Sequence, residues 1–219
     1  RIGARVAGVA PDARVVGLLD SALYLDLPVV PTPVLAAPAA TPRLSVVDQA
    51  RAVFDHTRAS IDPACADAYA GAEHKCLVGE YALRTLTPAH LVFAFGDDAY
   101  QLSEVLLPPH PAGIALPDLV ANATWRRGHA EWVAAVRTFE ARLREVLERT
   151  QPSVAYHSPK CWSHCNTETR EFSRAFRVGG VSLADALAAY AFGATAPRLL
   201  EVCDGFACGA DCVTVTLRL

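Results

Sequence analysis

Two carboxylates, Asp97 and Asp98, stand after the apolar run His90 to Phe95 across a single Gly96, and His164 stands downstream between Cys161 and Cys165. An aspartate and then a histidine are two of the three parts of a hydrolytic triad. The imidazole takes the proton of a nucleophile, and the carboxylate fixes its tautomer and stabilises its cation. The same residue types have plainer uses, since a loop aspartate caps helices and forms turns and a lone histidine is commonly structural. The missing part is the nucleophile. No Gly-x-Ser-x-Gly elbow occurs between Arg1 and Leu219, and Ser21, Ser103 and Ser163 lack the small neighbours that a strand-to-helix elbow requires.

The seven cysteines could do other chemistry. Cys161, His164 and Cys165 with Cys203, Cys208 and Cys212 could in principle bind zinc, but their spacings do not match the paired C-x2-C pattern of zinc sites. Disulfides are the preferred reading, with Cys65 and Cys76 bridged to each other around a polar loop and the connectivity of the other five open. If both Cys161 and Cys165 were bridged, the loop bearing His164 would be rigid. An odd count leaves one cysteine whose partner is expected in an N-terminal portion absent from the chain.

The secondary structure that would carry these residues alternates in type. Arg14 to Leu19 reads as a buried strand ending at Asp20, and His90 to Phe95 as a second strand. Ser45 to Arg58 has helical spacing, with Ser45 as N-cap and one apolar face (Val46, Val47, Ala50, Val53, Phe54) directed at a sheet. The longest helix is predicted over His129 to Thr150, with Trp132, Val136, Phe139, Leu143 and Val146 as its apolar stripe. A last short strand is expected at Ser153 to Tyr156 and a last helix at Ser182 to Phe192. Two Pro-rich stretches, 28–42 and 108–117, read as surface loops. Strands alternating with amphipathic helices predict an α/β layered fold with a mainly parallel sheet, one domain over 1–219. In such folds Asp97 and Asp98, just past a strand, lie where ligands bind. In α/β-hydrolases the triad order is Ser, Asp, His, which Asp98 and His164 fit.

Composition narrows the partners. With a net charge of −3 and only two lysines, Lys75 and Lys160, the chain offers no concentrated basic surface for nucleic acid. No apolar run reaches the roughly 18 residues of a membrane span. The chain starts at Arg1, contains no Met and shows no leader-like start, so it is expected to lack its natural N-terminus. Clustered cysteines together with the Asn122-Ala123-Thr124 sequon point to a secretory compartment, with Asn122 as a glycosylation candidate.

At these same residues the chain resembles the pectin acetylesterase/Notum family of ester hydrolases. Leu19 to Asp26 (LDSALYLD) is similar to the family's Asp-Ser/Ala-Gly-x-Phe-Leu-Asp segment. Asp98-Ala99-Tyr100-Gln101-Leu102 resembles the Asp-Ser-Trp-Gln-Ile block that supplies the triad acid, and Cys161 to Glu168 (CWSHCNTE) the Cys-Phe-Ala-His-Cys-Gln-Thr-Glu block that supplies the histidine. Cys65 and Cys76 match a Cys-loop-Cys element. Cys203 to Cys212 resembles the cysteine-rich tail of plant-type members. The chain departs from the family at Ala22-Leu23 and in the Pro-rich stretch 28–42.

The resemblance implies Asp98, rather than Asp97, as triad acid and His164 as base. It places the serine upstream of residue 1, so that the chain is the C-terminal portion of an α/β-hydrolase-like esterase and is inactive alone. It implies a secreted enzyme that needs no metal or cofactor and deacetylates pectin or a similar acylated cell-wall polysaccharide. A non-catalytic esterase-like module of an extracellular assembly is the alternative.

Overall fold

Val16–Asp20 forms strand β1 and Ala89–Phe93 strand β2, and their parallel register sets Asp20 beside Phe93. The computed structural model describes residues 14–31, 43–86, 89–107, 116–165, 167, 174–193 and 195–212. Ala155–Ser158 (β4) pairs on the other side of β2, and Arg198–Leu200 (β6) beyond it, giving a four-stranded, all-parallel sheet of order β1-β2-β4-β6. A second, two-stranded parallel sheet joins Asp97–Asp98 (β3) to Trp162–Ser163 (β5). The predicted α/β fold with a parallel sheet is therefore present.

β2 stops at Phe93, two residues short of the predicted end, yet the apolar run through Phe95 explains why the sheet is layered. Leu91, Phe93 and Phe95 pack with Phe176, Leu183 and Tyr190 in one core, whereas Val92 and Ala94 pack with Leu143, Leu147 and Tyr156 in another. Successive side chains of a strand point to opposite faces, so an unbroken apolar run is what a strand covered on both sides requires. The two covers are helices: Leu183–Ala191, started by a Ser182–Asp185 capping box, and the long Ala130–Glu148. The stripe predicted for the long helix is buried in full, from Trp132 to Val146.

In chain order the helices are α1 (Val46–Thr57), α2 (Pro63–Ala68), α3 (Gly79–Ala82), α4 (Leu116–Ala121), α5 (Ala123–Gly128), α6 (Ala130–Glu148) and α7 (Leu183–Ala191). A 3₁₀ turn, Glu73–Leu77, precedes α3, and a π-helical segment, Gln101–Leu106, comes after β3.

Several expectations need correction. β1 is half-buried and extends through Asp20, because it lies at an edge of the described sheet. α1 is capped by Ser45 as predicted, but it packs on the 3₁₀ turn rather than on the sheet, and Val53 stays 51% exposed. The strand expected at Ser153 to Tyr156 begins two residues later and is not the last, since β6 comes after it. Of the stretch 108–117, Leu116 and Pro117 open α4, where a proline is tolerated because the first-turn N–H has no helical partner; 108–115 lie outside the described residues. Of 28–42, residues 28–31 are irregular and 32–42 lie outside them.

Candidate active site

The carboxyl ends of β1, β2 and β4 converge at one end of the sheet, and the candidate residues sit on the segments just beyond them. After β2 the chain stays close to its neighbour: the Gly96 amide donates to the Pro159 carbonyl at 2.8 Å. A Cβ on Gly96 would stand 3.0 Å from Cα of Lys160, so a glycine suits this close approach. β3 then pairs with β5 in the register Asp97↔Trp162 and Asp98↔Ser163. The short ladder leaves His164 one residue beyond the partner of Asp98.

Both oxygens of Asp98 lie 3.0 Å from Nδ1 of His164. The Asp98 side chain is 2% exposed and that of His164 is 12% exposed, so the carboxylate is shielded while the imidazole can be reached. Asp98 also caps the helical turn after β3, accepting the Gln101 amide on Oδ1 at 2.9 Å. The cap reading and the acid reading of this aspartate thus coexist in one carboxyl group. Gln101 is buried and doubles the restraint: its Nε2 donates to Asp98 Oδ2 at 3.2 Å and to the Leu23 carbonyl at 3.1 Å, and its Oε1 accepts the Leu25 amide at 3.0 Å.

The imidazole is walled by two tyrosines. Tyr100 stacks on it with centroids 5.2 Å apart, and Tyr24 meets both rings edge-on at 6.4 and 6.2 Å. Burial first, and then the Asp98 charge, push the Tyr24 hydroxyl up to about 12, which keeps it neutral and able to donate.

The loop after His164 is tied to the tip of β1. The Cys165 amide donates to Ser21 Oγ at 2.9 Å, and Thr167 donates to Asp20 Oδ2 from its amide at 2.7 Å and from its hydroxyl at 2.5 Å. Ser21 and Cys165 both hold left-handed backbone, φ 52° and 50°, a conformation that is strained for residues with a Cβ and that surrounding contacts must enforce.

The structure separates the two candidate aspartates. Asp97 turns away from His164, accepts the Ala207 amide at 2.7 Å and lies in the field of Glu140 and Lys160. Burial first, then Glu140, push its carboxyl up to about 8. Lys160 pairs with Glu140 at 3.2 Å and donates to the Cys203 carbonyl at 3.2 Å. Asp97 therefore joins the tail to the small sheet that carries Asp98.

Among the described residues three disulfides form: Cys65–Cys76 as expected, Cys161–Cys212 and Cys203–Cys208. The condition of bridging at both Cys161 and Cys165 is not met, because Cys165 belongs to none of the three. The zinc reading loses four of its thiolates to these bonds. Asn122 is exposed and serves as N-cap of α5, its Oδ1 accepting the amides of Thr124 and Trp125.

Ser103 and Ser182 are engaged by their neighbours and Ser163 is buried. Ser103 donates to the Ala99 carbonyl, and Ser182 caps α7 while donating to Asp185 Oδ2 at 2.7 Å. Sequence reasoning missed the roles of Tyr24, Tyr100, Gln101 and the Asp20–Ser21 pair. Their only signal was membership in the blocks around Asp20 and Asp98.

A parallel sheet with helices on both faces, carrying a carboxylate–imidazole pair past its strand ends, defines an α/β-hydrolase-like fold. The chain is similar to the Wnt deacylase Notum from Drosophila, with a TM-score of 0.69 and 20% sequence identity over 96% of this chain and 53% of that one. Against a second crystal form of the same protein the TM-score is 0.69 and the identity 19%, over 97% of this chain and 55% of that one. The chain thus spans about half the length of the Notum chains it matches. No family model and no curated protein matches it.

Proposed function

We propose that the chain supplies the acid and base of a secreted serine ester hydrolase of the pectin acetylesterase/Notum type, acting on acetylated pectin or a similar extracellular polysaccharide. The observation that carries this reading is the Asp98–His164 pair, with Nδ1 held by both carboxylate oxygens and the carboxylate itself held by Gln101. Nε2 of His164 is then the atom left for a nucleophile.

A serine upstream of residue 1 attacks the ester carbonyl carbon while His164 accepts its hydroxyl proton. The tetrahedral adduct collapses, the C–O bond to the sugar breaks, and His164 returns the proton to the departing alkoxide. Water then repeats the cycle on the acyl-serine and releases the acid. Asp98 keeps the imidazole oriented and stabilises its cation throughout. Three disulfides and the exposed Asn122 of the sequon support a secreted glycoprotein.

The test is turnover of p-nitrophenyl acetate by the protein that carries the upstream serine. His164→Ala should lower kcat by about a thousandfold or more, and unchanged turnover would sink the assignment. The chain by itself should turn nothing over. A second reading, a non-catalytic module on the same fold, draws on the engagement of Ser103 and Ser182 elsewhere and the burial of Ser163. Covalent labelling of the whole protein by a fluorophosphonate would eliminate it.

A further inference from the structure

Segment 20–25, just past the end of β1, reaches both partners of the Asp98–His164 pair. At its far end Leu23 and Leu25 are bonded to Gln101, which in turn holds both oxygens of Asp98. At its near end Ser21 Oγ accepts the Cys165 amide at 2.9 Å, one residue past His164, and Asp20 Oδ2 accepts from the amide and hydroxyl of Thr167. The Ser21 hydroxyl donates to Asp20 Oδ1 at 3.2 Å, which leaves its lone pairs for the Cys165 amide.

This segment is itself anchored. The Ser21 amide donates to the Phe93 carbonyl at 2.9 Å and so carries the β1–β2 pairing one residue beyond Asp20. From Phe93 the chain runs through Gly96 to Asp98, crosses the β3–β5 register to Ser163, and returns by His164 and Cys165 to Ser21. The path is a closed ring, in which His164 stands between a ladder partner of Asp98 on one side and a residue bonded to Ser21 on the other. Ser21 is 3% exposed and holds left-handed backbone, φ 52°. A glycine would hold that backbone without strain but could not bond the Cys165 amide, so the hydroxyl is what a serine contributes there.

We propose that Asp20 and Ser21 are positioning residues for His164. With Gln101 on the acid side, they make segment 20–25 a yoke that sets the imidazole against Asp98 and keeps Nε2 in place for proton transfer. Such transfer is sensitive to placement, and an error of about 1 Å costs roughly a hundredfold in rate. The catalytic consequence rests on the ester-hydrolase reading, whereas the restraint of the imidazole by the tip of β1 does not.

Ser21→Gly tests the proposal, because it suits the left-handed backbone and removes the hydroxyl. In the chain as it stands, the proton on Nδ1 of His164, followed by NMR, should exchange with water at least about tenfold faster in Ser21→Gly than in the parent. Asp20→Asn, which keeps one oxygen for Thr167, should exchange at a rate between those of the parent and Asp20→Ala, and this series decides the matter should Ser21→Gly fold poorly. Unchanged exchange in the folded variants would overturn the proposal. In the serine-bearing protein, Ser21→Gly should lower kcat and kcat/KM for p-nitrophenyl acetate together, by about tenfold to a hundredfold. A parent that turns nothing over while the exchange responds as expected refutes the esterase reading and upholds the restraint of His164. A parent that turns over, with Ser21→Gly at full rate, refutes the yoke alone.

Discussion

Gln101 and Asp98 are joined twice, backbone amide to Oδ1 at 2.9 Å and side-chain Nε2 to Oδ2 at 3.2 Å, so that one residue three positions on holds both oxygens facing His164. The π-helical turn that begins at Gln101 makes this possible by keeping the side chain against the carboxyl while its other bonds grip Leu23 and Leu25. Gln101→Leu keeps the volume but strands the Leu23 carbonyl and the Leu25 amide. Chemical denaturation should show a loss of about 1–3 kcal/mol. A loss below about 0.5 kcal/mol would mean that water replaces the glutamine at no cost.

Asp98→Asn removes the charge and puts an N–H donor in place of one of the two oxygens that select the proton on Nδ1 of His164. Imidazole nitrogen shifts should show one tautomer in the parent chain and a mixture in the variant. In the serine-bearing protein, kcat should fall by about ten thousandfold. An unchanged tautomer would contradict the orienting role of Asp98.

The raised carboxyl of Asp97 gives a pH signature. Unfolded, the group titrates near ~4, but folded it keeps its proton up to about 8. Between those values the folded state binds more protons than the unfolded one. The stabilising contribution is therefore complete below ~4 and is lost as pH rises through the folded value. Urea titrations at pH 5 and pH 8 should show a larger drop in stability for the parent chain than for Asp97→Asn, which stays neutral. Parallel profiles would refute the assignment.

The disulfides should differ in worth because they close loops of different length. Cys161–Cys212 spans 51 residues and Cys203–Cys208 spans 5. On the chain-entropy account, replacing the first pair by alanines should cost about 2 kcal/mol more than replacing the second. Thermal melts of the two double variants provide the comparison, and equal losses would place the stabilisation in the folded tail instead.

Gly79 stands where a side chain cannot. A Cβ there would lie 2.2 Å from the Ala22 carbonyl oxygen and 2.7 Å from Cα of Leu23, both backbone atoms. Gly79→Ala must displace the segment that Gln101 grips. A loss of about 1–3 kcal/mol is expected from denaturation, and a neutral result would show that the segment can move freely.

Much of the fold was legible in local pattern. The run ending at Phe95 read as a strand because burial on both faces demands unbroken apolar residues, and the α6 stripe read correctly because each of its positions meets one core. α1 misled because its apolar face meets a 3₁₀ turn, and spacing names a buried face without naming what covers it. β3 and β5 are two residues each, too short for any periodicity, yet their register delivers His164 to Asp98. The partner of Cys161 was invisible for a related reason: the fold decides which distant cysteine comes near. Resemblance separated Asp98 from Asp97, and the strand alternation supplies the physical cause, since neighbouring residues on β3 face opposite sides.

The bonds that fasten the histidine loop to β1 join residues far apart in the chain: Cys165 to Ser21 across 144 positions and Thr167 to Asp20 across 147. Such contacts close late, because the entropy of a long loop must be overcome before they form. At about 5–20 residues per second, a ribosome needs roughly ten seconds or more to deliver Thr167 after Asp20 has emerged. For that interval the tip of β1 waits without its fastening, and the candidate catalytic centre is among the last parts of the molecule to come into being.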